Sequence, residues 1–344
     1  MTRGTEKTKI ALWGFGAMGQ GIAKLISSKS NLEIVGVCDI SPDMVGKSLV
    51  DIIELSQLNH IIVNEDIDLM LETSKPDLVM ISTDSFVKKN YDKIMKCILK
   101  GYHVISSAEE MAQPYANNSE LATEIHKAAQ SQGVTVLGTG VNPGFMMDLL
   151  AISMTGVTES IEEIHCRRVN SLSPFGKTVM EEQGIGITLQ EFEQKMSKNQ
   201  LSGHVGFKES VYLFAQALGN STVTHFEETM TPIVTDVERS SKYGFAAKGT
   251  LAGVDMRAKA TLSNGIKLFF EHPQQIEPHL GGVETGDYIK IIGRPNVNLS
   301  INPEVDGGIG TIAICVNMIP LVVEAEAGLK TMVDLPVPRA LLSN

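Results

Sequence analysis

One motif constrains the fold of this chain more than any other feature: the complete GxGxxG of Gly14-Phe15-Gly16-Ala17-Met18-Gly19. It follows the apolar run Lys9–Trp13 and opens the segment Met18–Ser28, in which apolar residues recur at helical spacing. The glycines alone would be a weak signal, but a strand, a glycine turn and a helix in this order are typical of dinucleotide-binding sheets. The sequence therefore predicts a parallel α/β sheet with a dinucleotide at its edge.

Each glycine of the motif has its own steric reason. Gly14 permits the tight turn, Gly16 lets a pyrophosphate approach the backbone, and Gly19 lets the helix pack closely on the strand. The N–H groups and the dipole at the start of the helix then favour phosphate. We accordingly predict that the whole segment contacts the cofactor, through the residues Gly14, Phe15, Gly16, Ala17, Met18 and Gly19.

Asp39 ends the second apolar run, Leu32–Cys38, and stands twenty residues after the last glycine of the motif. A carboxylate at this place accepts hydrogen bonds from the adenosine ribose and repels a 2′-phosphate, which favours NAD over NADP. Ser41 and Lys47 lie near enough in the chain to bind a phosphate, so the use of NADP stays open. Asp39 could alternatively be an Asx-type turn residue.

Strands and helices alternate through the first part of the chain. Continuous apolar runs predict further strands at Asp77–Ser82, His103–Ser106 and Val134–Leu137, with helical segments between them. Parallel neighbours in a sheet require crossover connections of this kind. We therefore predict a Rossmann-type doubly wound parallel sheet over residues 1–145, which binds NAD(P).

The pattern changes after Asn142-Pro143-Gly144 and a predicted helix over Met146–Met154. Consecutive strands with short turns are predicted at Ile161–Val169, Phe245–Asp255, Ala258–Leu262, Ile266–His272 and Tyr288–Gly293. They indicate a second α+β domain with a largely antiparallel sheet over residues 146–310, for substrate binding and oligomerisation. A helix over Gly310–Gly328 is expected to begin a C-terminal segment, 311–344, that packs back on the first domain.

Composition excludes several classes of partner. The formal net charge of −11 argues against binding to nucleic acid or to an anionic membrane surface. No apolar run approaches the ~18 residues that a membrane span requires, and no signal-peptide pattern precedes Ile10. The four cysteines lack metal-site spacing and are interpreted as buried apolar residues, so no metal is expected. We expect a soluble cytoplasmic protein with a small-molecule substrate.

Ligands of doubly wound sheets bind beyond the carboxyl ends of the strands, which selects three loops here. The polar residues predicted to meet the cofactor in these loops are Ser82, Thr83, Ser107 and Asn142. Glu109 and Glu110 are the only strong candidates for a general base. These carboxylates could alternatively stabilise the start of a helix, where acids are favoured by the dipole.

Several segments together resemble the family of 2,4-diaminopentanoate dehydrogenases of anaerobic ornithine breakdown. They also resemble the related native amine dehydrogenases, whose N-terminal domain is similar to that of dihydrodipicolinate reductase. The selective segments are WGFGAMGQGIA, CDISPDMVGK, HVISSAEEMAQP and GTGVNPGFMMDLL. Further support comes from Gly203–Ser210, Ile291–Val297 and Gly310–Pro336, so the resemblance covers nearly the whole chain. It implies NAD(P)-dependent oxidative deamination of 2,4-diaminopentanoate at C4, and a homodimer or higher homo-oligomer that assembles through the antiparallel sheet.

The resemblance also implies roles for single residues. In the related amine dehydrogenases, a glutamate follows the strand that corresponds to His103–Ser106 here. It stabilises an iminium and takes a proton from the attacking water. That role carries over to Glu109 or Glu110, and we prefer Glu109 because it is nearer to the strand end. The second domain should hold the amino-acid end of the substrate, where an arginine fork suits a carboxylate. The candidates for substrate binding are Thr139, Asn142, Arg168, Asn170 and His204.

Other functions stay open at this point. The substrate could be another amine or amino acid, and surface or structural roles for Arg168 and His204 are the simpler alternatives. A dihydrodipicolinate-reductase-like imine reductase fits the fold, although the paired histidines of that family do not occur in this chain. A regulator that senses NAD without turning it over is the non-enzyme alternative, but no basic helix–turn–helix is visible.

Overall fold

A computed structural model describes residues 7–54 and 61–342 of the protein. Contacts between residues divide the chain into two compact units. The first comprises Met1–Phe145 and Gly308–Asn344, and the second comprises Met146–Gly307. No helix within the described ranges combines the length and the apolar character that crossing a membrane requires.

The N-terminal part of the first unit alternates strands and helices. Its strands are β1 (Thr8–Trp13), β2 (Leu32–Cys38), β3 (Val63–Asn64), β4 (Leu78–Ile81), β5 (His103–Ser106) and β6 (Thr135–Gly138). Its helices are α1 (Ala17–Ser27), α2 (Leu49–Ile53), α3 (Ile67–Ser74), α4 (Val87–Leu99) and α5 (Ser119–Gln132). Every residue of β4 and β6 is buried, as expected for central strands with helices on both faces.

Local sequence explains where these helices begin and end. The carboxylate of Asp66 accepts hydrogen bonds from the N–H groups of Asp68 and Leu69, which caps α3. Gly133, with a φ of 69°, ends α5 in the left-handed conformation that favours glycine. The buried sides of α4 and α5 contribute Ile94 and Ile125 to the apolar core of the sheet.

The second unit contains the helices α6 (Leu149–Met154), α7 (Lys177–Glu182), α8 (Leu189–Ser197) and α9 (Phe207–Ala217). Its strands are β7 (Ser160–Ser171), β8 (Val223–Val234), β9 (Arg239–Ser240), β10 (Phe245–Ala246), β11 (Leu251–Leu262), β12 (Lys267–Gln275), β13 (Gly286–Arg294) and β14 (Val297–Ile301). Six of these strands form one sheet in the order β14-β13-β7-β12-β11-β8, and β9 pairs with β10. Only the β7–β12 pairing in the six-stranded sheet is parallel, so the sheet is largely antiparallel.

The C-terminal segment returns to the first unit. It forms α10 (Gly307–Asn317), α11 (Ile319–Val323) and β15 (Gly328–Lys330), which pairs in parallel with β6. The parallel sheet thus has seven strands in the order β15-β6-β5-β4-β1-β2-β3. The single helix predicted over Gly310–Gly328 is wrong: Pro320 lies in a second short helix, and Gly328 begins an edge strand. The predicted fold class, a doubly wound parallel sheet with a second α+β domain, is confirmed.

Candidate active site

The glycine loop between β1 and α1 leaves room for a ligand at one position. Gly14 has a φ of 98°, and a Cβ there would stand 2.6 Å from the carbonyl oxygen of Ser82. A Cβ at Gly19 would stand 2.1 Å from the carbonyl oxygen of Gly14. At Gly16 nothing in the described part of the chain lies within 4 Å of that position. Packing within the protein thus requires glycine at 14 and 19, whereas the space beside Gly16 is open to a ligand.

The start of α1 fits the phosphates of a dinucleotide. Gly16 and Ala17 are exposed and Met18 is half-buried, so the N–H groups of the first helical turn face outward. No acidic residue occupies this first turn, so nothing there opposes an anion. Phe15 differs from the prediction in detail, since its side chain is fully buried and its N–H donates to Asp39.

The carboxylate of Asp39 is fixed from two sides at the carboxyl end of β2. Its Oδ2 accepts the N–H of Phe15, and its Oδ1 accepts the N–H of Ser41 at 2.8 Å. These bonds hold the side chain beside the glycine loop, where a carboxylate can still accept from ribose hydroxyls. Ser41 therefore takes part through its backbone, as a support for Asp39.

Three further loops meet at the same edge of the parallel sheet. In the strand register, Ile81 of β4 pairs with Ser106 of β5, which pairs with Gly138 of β6. The loops are also bonded to each other: the N–H of Ser107 donates to the carbonyl of Ile81 at 3.0 Å, and that of Thr139 to the carbonyl of Ser106 at 2.9 Å. The three predicted loops therefore lie side by side.

Ser82 and Thr83 lie next to the glycine loop. The hydroxyl of Ser82 donates to the carbonyl of Gly14 at 3.1 Å. Thr83 is an exposed residue, and its hydroxyl donates to Asn90 and accepts from the ammonium of Lys93 at 2.6 Å. Lys93 was not predicted, because its helical segment shows no motif. Both hydroxyls are therefore held by protein groups next to the glycine loop.

The two adjacent glutamates have different surroundings. Both lie in a 3₁₀ turn, Glu109–Ala112, that directly follows β5. One carboxylate oxygen of Glu110 accepts the N–H of Val87, the first residue of α4, at 2.8 Å, and also the amide of Asn118 at 3.1 Å. Glu110 thus stabilises the start of a helix, the structural alternative that the sequence left open.

Glu109 lies in the same turn and is one residue nearer to the end of β5. It is half-buried in the loop that lies between the β4 and β6 loops. The turn that carries it packs tightly on β6, because a Cβ at Gly138 would stand 2.0 Å from the carbonyl oxygen of Met111. A carboxylate on a fixed backbone at the carboxyl end of the sheet can stabilise a cation and accept a proton.

The loop after β6 carries two of the predicted substrate-binding residues, Thr139 and Asn142. The hydroxyl of Thr139 is 2% exposed and donates to the sulfur of Met332, which contradicts the expectation that this side chain is available for substrate. Asn142 is half-buried in the following turn, next to a cis peptide bond with Pro143. That turn is tied to α10, since the hydroxyl of Thr311 accepts the N–H of Val141 at 3.1 Å.

Arg168 in β7 forms a buried ion pair, and its guanidinium is not an open fork. Its Nη1 donates to the carboxylate of Asp287 in β13, and its Nη2 donates to the carbonyl of Val305. The carboxylate of Asp287 also accepts the N–H of Val305 at 2.9 Å. The fork expected to bind a substrate carboxylate is therefore directed at groups of the protein, because the antiparallel partner strand supplies the counter-charge.

Asn170 and His204 both belong to the second unit, with His204 near the charge of Arg168. Asn170 is 4% exposed, and within the described residues its side-chain oxygen has no hydrogen-bond partner. The ring of His204 packs edge-on against that of His272, with centroids 4.7 Å apart. Burial and the charge of Arg168 lower the pKa of His204 to about 3, so this imidazole is neutral at physiological pH. His272, which also contacts Arg168, was missed because nothing in the sequence pattern marks it.

Gly16 offers a direct test of cofactor binding. Its φ of −68° is open to any residue, so Gly16→Ala should leave the free energy of unfolding unchanged or slightly higher. An added methyl group in a close contact costs about 1–3 kcal/mol, so the affinity for NAD should fall about 10- to 100-fold. Titration calorimetry with NADH and thermal unfolding measure the two quantities. Unchanged NADH affinity in this variant would contradict the assignment of the loop.

Comparisons with known proteins agree with this geometry. Residues 145–344 match the family model of the 2,4-diaminopentanoate dehydrogenase C-terminal domain. Residues 8–139 match the model of the oxidoreductase family with an NAD-binding Rossmann fold. The chain is 50% identical over 341 residues to 2,4-diaminopentanoate dehydrogenase of Acetoanaerobium sticklandii, covering 98% of this chain and 96% of that protein.

Amine dehydrogenases are further relatives. The amine dehydrogenase of Streptomyces virginiae is 22% identical over 351 residues, with 96% of each chain covered. The solved structure of amine dehydrogenase from Mycobacterium smegmatis has a TM-score of 0.87 at 25% identity, covering 96% of this chain and 97% of that one. The protein is thus an NAD-binding oxidoreductase with dehydrogenase relatives that act on amines. By its sequence and its fold, the chain belongs to the 2,4-diaminopentanoate dehydrogenase family.

Proposed function

We propose that the protein oxidatively deaminates 2,4-diaminopentanoate at C4, with NAD⁺ as oxidant. The products are 2-amino-4-oxopentanoate, ammonia and NADH. The observation that carries this proposal is the position of Glu109, on a fixed turn directly after β5 and between two loops at the carboxyl edge of the sheet. A carboxylate there suits a reaction whose carbon centre becomes cationic.

The chemistry divides into steps that the residues of this chain can serve. When bound, NAD⁺ supplies the acceptor for the hydride that leaves C4 of the substrate. The amine-bearing carbon then carries a positive charge as an iminium, which the carboxylate of Glu109 stabilises. Water adds to this carbon, and Glu109 takes a proton from it; loss of ammonia then leaves the ketone. Glu110 supports the geometry by holding the start of α4.

The second unit is proposed to hold the amino-acid end of the substrate. Asn170 offers a buried amide whose oxygen has no partner within the described ranges, and His204 offers a neutral imidazole. Arg168 is held in an ion pair by Asp287. These groups suit a polar zwitterion better than the tail of a simple alkylamine, which would leave the amide unsatisfied.

NAD is the proposed cofactor in preference to NADP. Asp39 is held beside the glycine loop by two N–H groups, where its charge would repel a 2′-phosphate. Ser41 cannot compensate through its backbone N–H, because that donor is already bonded to Asp39.

A spectrophotometric assay of NADH and NADPH formation tests the function. We expect turnover of 2,4-diaminopentanoate, with kcat/KM higher for NAD⁺ than for NADP⁺ and far higher than for ornithine, lysine or simple amines. Detection of 2-amino-4-oxopentanoate by mass spectrometry establishes the position of deamination. Efficient turnover of another amine, with no turnover of the diamino acid, would contradict the proposed substrate but not the proposed class of reaction.

A cytoplasmic homodimer completes the proposal. The sheet of the second unit carries a groove of about 370 Å³ on the face away from its core, lined by residues that include His165, Arg167, Phe269 and Tyr288. Phe269 stacks on His165 with ring centroids 4.4 Å apart, and Arg167 lies over Tyr288. Aromatic residues and arginine are favoured in protein interfaces, which supports contact through this face.

A further inference from the structure

The hydroxyl of Thr83 has a fixed direction, although Thr83 is an exposed residue beside the glycine loop. The fully buried amide of Asn90 donates to the carbonyls of Asp84 and Phe86 at 3.0 and 2.9 Å, so its NH₂ group is fully used. Its Oδ1 can only accept, and it lies 3.0 Å from the hydroxyl of Thr83. The single hydroxyl proton of Thr83 therefore goes to Asn90, and none is left for a ligand.

Lys93 supplies the donors that Thr83 lacks. Side chains of a helix lean toward its N-terminus, so Lys93 in the second turn of α4 reaches back to the loop after β4. Its ammonium donates to the hydroxyl oxygen of Thr83 at 2.6 Å and has no second acceptor within the described residues. An ammonium has three N–H donors, so two remain. They lie close to the glycine loop, because a Cβ at Gly14 would stand 2.9 Å from the methyl carbon of Thr83.

Lys93 forms no ion pair with any residue that the structure describes, unlike its neighbours in α4. The ammonium of Lys89 lies 3.1 Å from the carboxylate of Asp84, and that of Lys96 pairs with Asp68. Lys93 is half-buried, and burial lowers its pKa, an effect that the charge of Asp84 partly opposes. A half-buried cation without an ion pair is stabilised by an anion that binds next to it.

We propose that Lys93 is a further cofactor-binding residue whose ammonium pairs with the pyrophosphate of NAD, and that Thr83 positions this ammonium. The pyrophosphate of a dinucleotide is expected at the first turn of α1, directly after the glycine loop. The N–H groups of that turn face the phosphates from the side of α1, and Lys93 faces them from the loop after β4. All these residues belong to the first unit, and the proposal does not depend on which amine is oxidised.

The charge of Lys93 selects the pyrophosphate among the parts of the cofactor. Adenine, the two riboses and the reduced nicotinamide carry no negative charge, so none of them compensates a cation as a phosphate does. A 2′-phosphate is the other anion that a dinucleotide can carry, but its place is opposite the carboxylate of Asp39. The pyrophosphate is therefore the partner that suits an ammonium held beside Gly14.

Titration calorimetry with NADH and with ADP-ribose tests the contact. In Lys93→Met, which keeps an unbranched side chain without the charge, the affinity for both ligands should fall about 10-fold, the effect of one charge-assisted hydrogen bond. Lys93→Arg keeps the charge and should recover most of this loss. The matched control, Lys88→Met, removes the same charge from an exposed position of α4 and should leave both affinities unchanged.

The dependence of binding on salt separates a contact with phosphate from a packing role. Salt screens charges that are not fully buried, so the affinity of the wild-type protein for NADH should fall between about 0.05 and 0.5 M sodium chloride. The fall should be less steep in Lys93→Met. A loss of affinity in this variant with unchanged salt dependence would overturn the assignment to the pyrophosphate. A loss for NADH without a loss for ADP-ribose would overturn it as well.

A double-mutant cycle tests the positioning role of Thr83. Thr83→Val removes the oxygen that holds the ammonium, whereas Thr83→Ser keeps it and should bind NADH as the wild-type protein does. If Thr83 acts through Lys93, Thr83→Val should weaken NADH binding less than Lys93→Met does, and it should add little in the double variant. Additive losses would contradict the positioning role. Thermal unfolding of each variant shows whether the fold is retained.

Discussion

Replacing Glu109 by glutamine should lower kcat with 2,4-diaminopentanoate by about 10²- to 10⁴-fold, the usual contribution of a positioned acid or base. Glutamine keeps the shape of the side chain but removes both the charge that stabilises the cationic carbon and the site that accepts the proton. The affinity for NADH should not change, because the glycine loop and Asp39 lie on other segments of the sheet edge. Stopped-flow measurement of the first turnover separates this loss from slow product release.

Glu110→Gln is the matched control for that experiment. The carboxylate of Glu110 accepts the first N–H of α4 and the amide of Asn118, so its loss should lower the free energy of unfolding by about 1 kcal/mol. Turnover should remain within the same order of magnitude as in the wild-type protein. The reverse outcome, with Glu110→Gln inactive and Glu109→Gln active, would transfer the role of base to Glu110.

The first unit was largely predictable because its signals are local. The positions of Gly14 and Gly19 follow from close contacts within one strand–turn–helix segment, so the motif and its geometry are linked by sterics. Buried parallel strands appear as continuous apolar runs, and β5 agrees with the predicted strand at both ends. The position of Glu109 followed in the same way, from the rule that ligands bind beyond strand ends.

The second unit was less predictable because its pairing is not local. The edge strand β8 has exposed residues along both faces, so it lacks the alternation that marks a half-buried strand and it was missed. Two strands were predicted where β11 runs unbroken over Leu251–Leu262. Gln183 and His272 carry no motif, and the side chain of Gln274 bridges them because the C-terminal end of α7 lies against β12.

Arg168 shows most clearly what the sequence could not reveal. Its type and position at the end of a strand suit a carboxylate-binding fork, and no sequence pattern marks Asp287 as its partner. The two residues are 119 positions apart and meet because β7 pairs with β13. The antiparallel register places Asp287 opposite Arg168, so the counter-charge comes from the fold itself.

The two interpretations of Arg168 predict different effects of the same substitution. If Arg168 were an open fork, Arg168→Met would lower the affinity for the substrate and leave the free energy of unfolding nearly unchanged. If Arg168 forms a buried ion pair, the same substitution should lower the free energy of unfolding by about 3–5 kcal/mol. The reason is that the carboxylate of Asp287 is left buried without its counter-charge. The structure predicts the second result, measured by denaturant unfolding.

A double variant shows whether that loss comes from the unpaired charge. Replacing both partners by apolar residues of similar size, as in Arg168→Met with Asp287→Leu, removes the buried charge altogether and often restores stability. Most of the loss in Arg168→Met should therefore be recovered, except for the hydrogen bond that the N–H of Val305 donates to Asp287. If the losses in the free energy of unfolding caused by the two substitutions add instead, Arg168 and Asp287 act independently and the ion pair does not hold β7 to β13. Recovered stability with impaired substrate binding would show that the pair also shapes the proposed substrate site around Asn170.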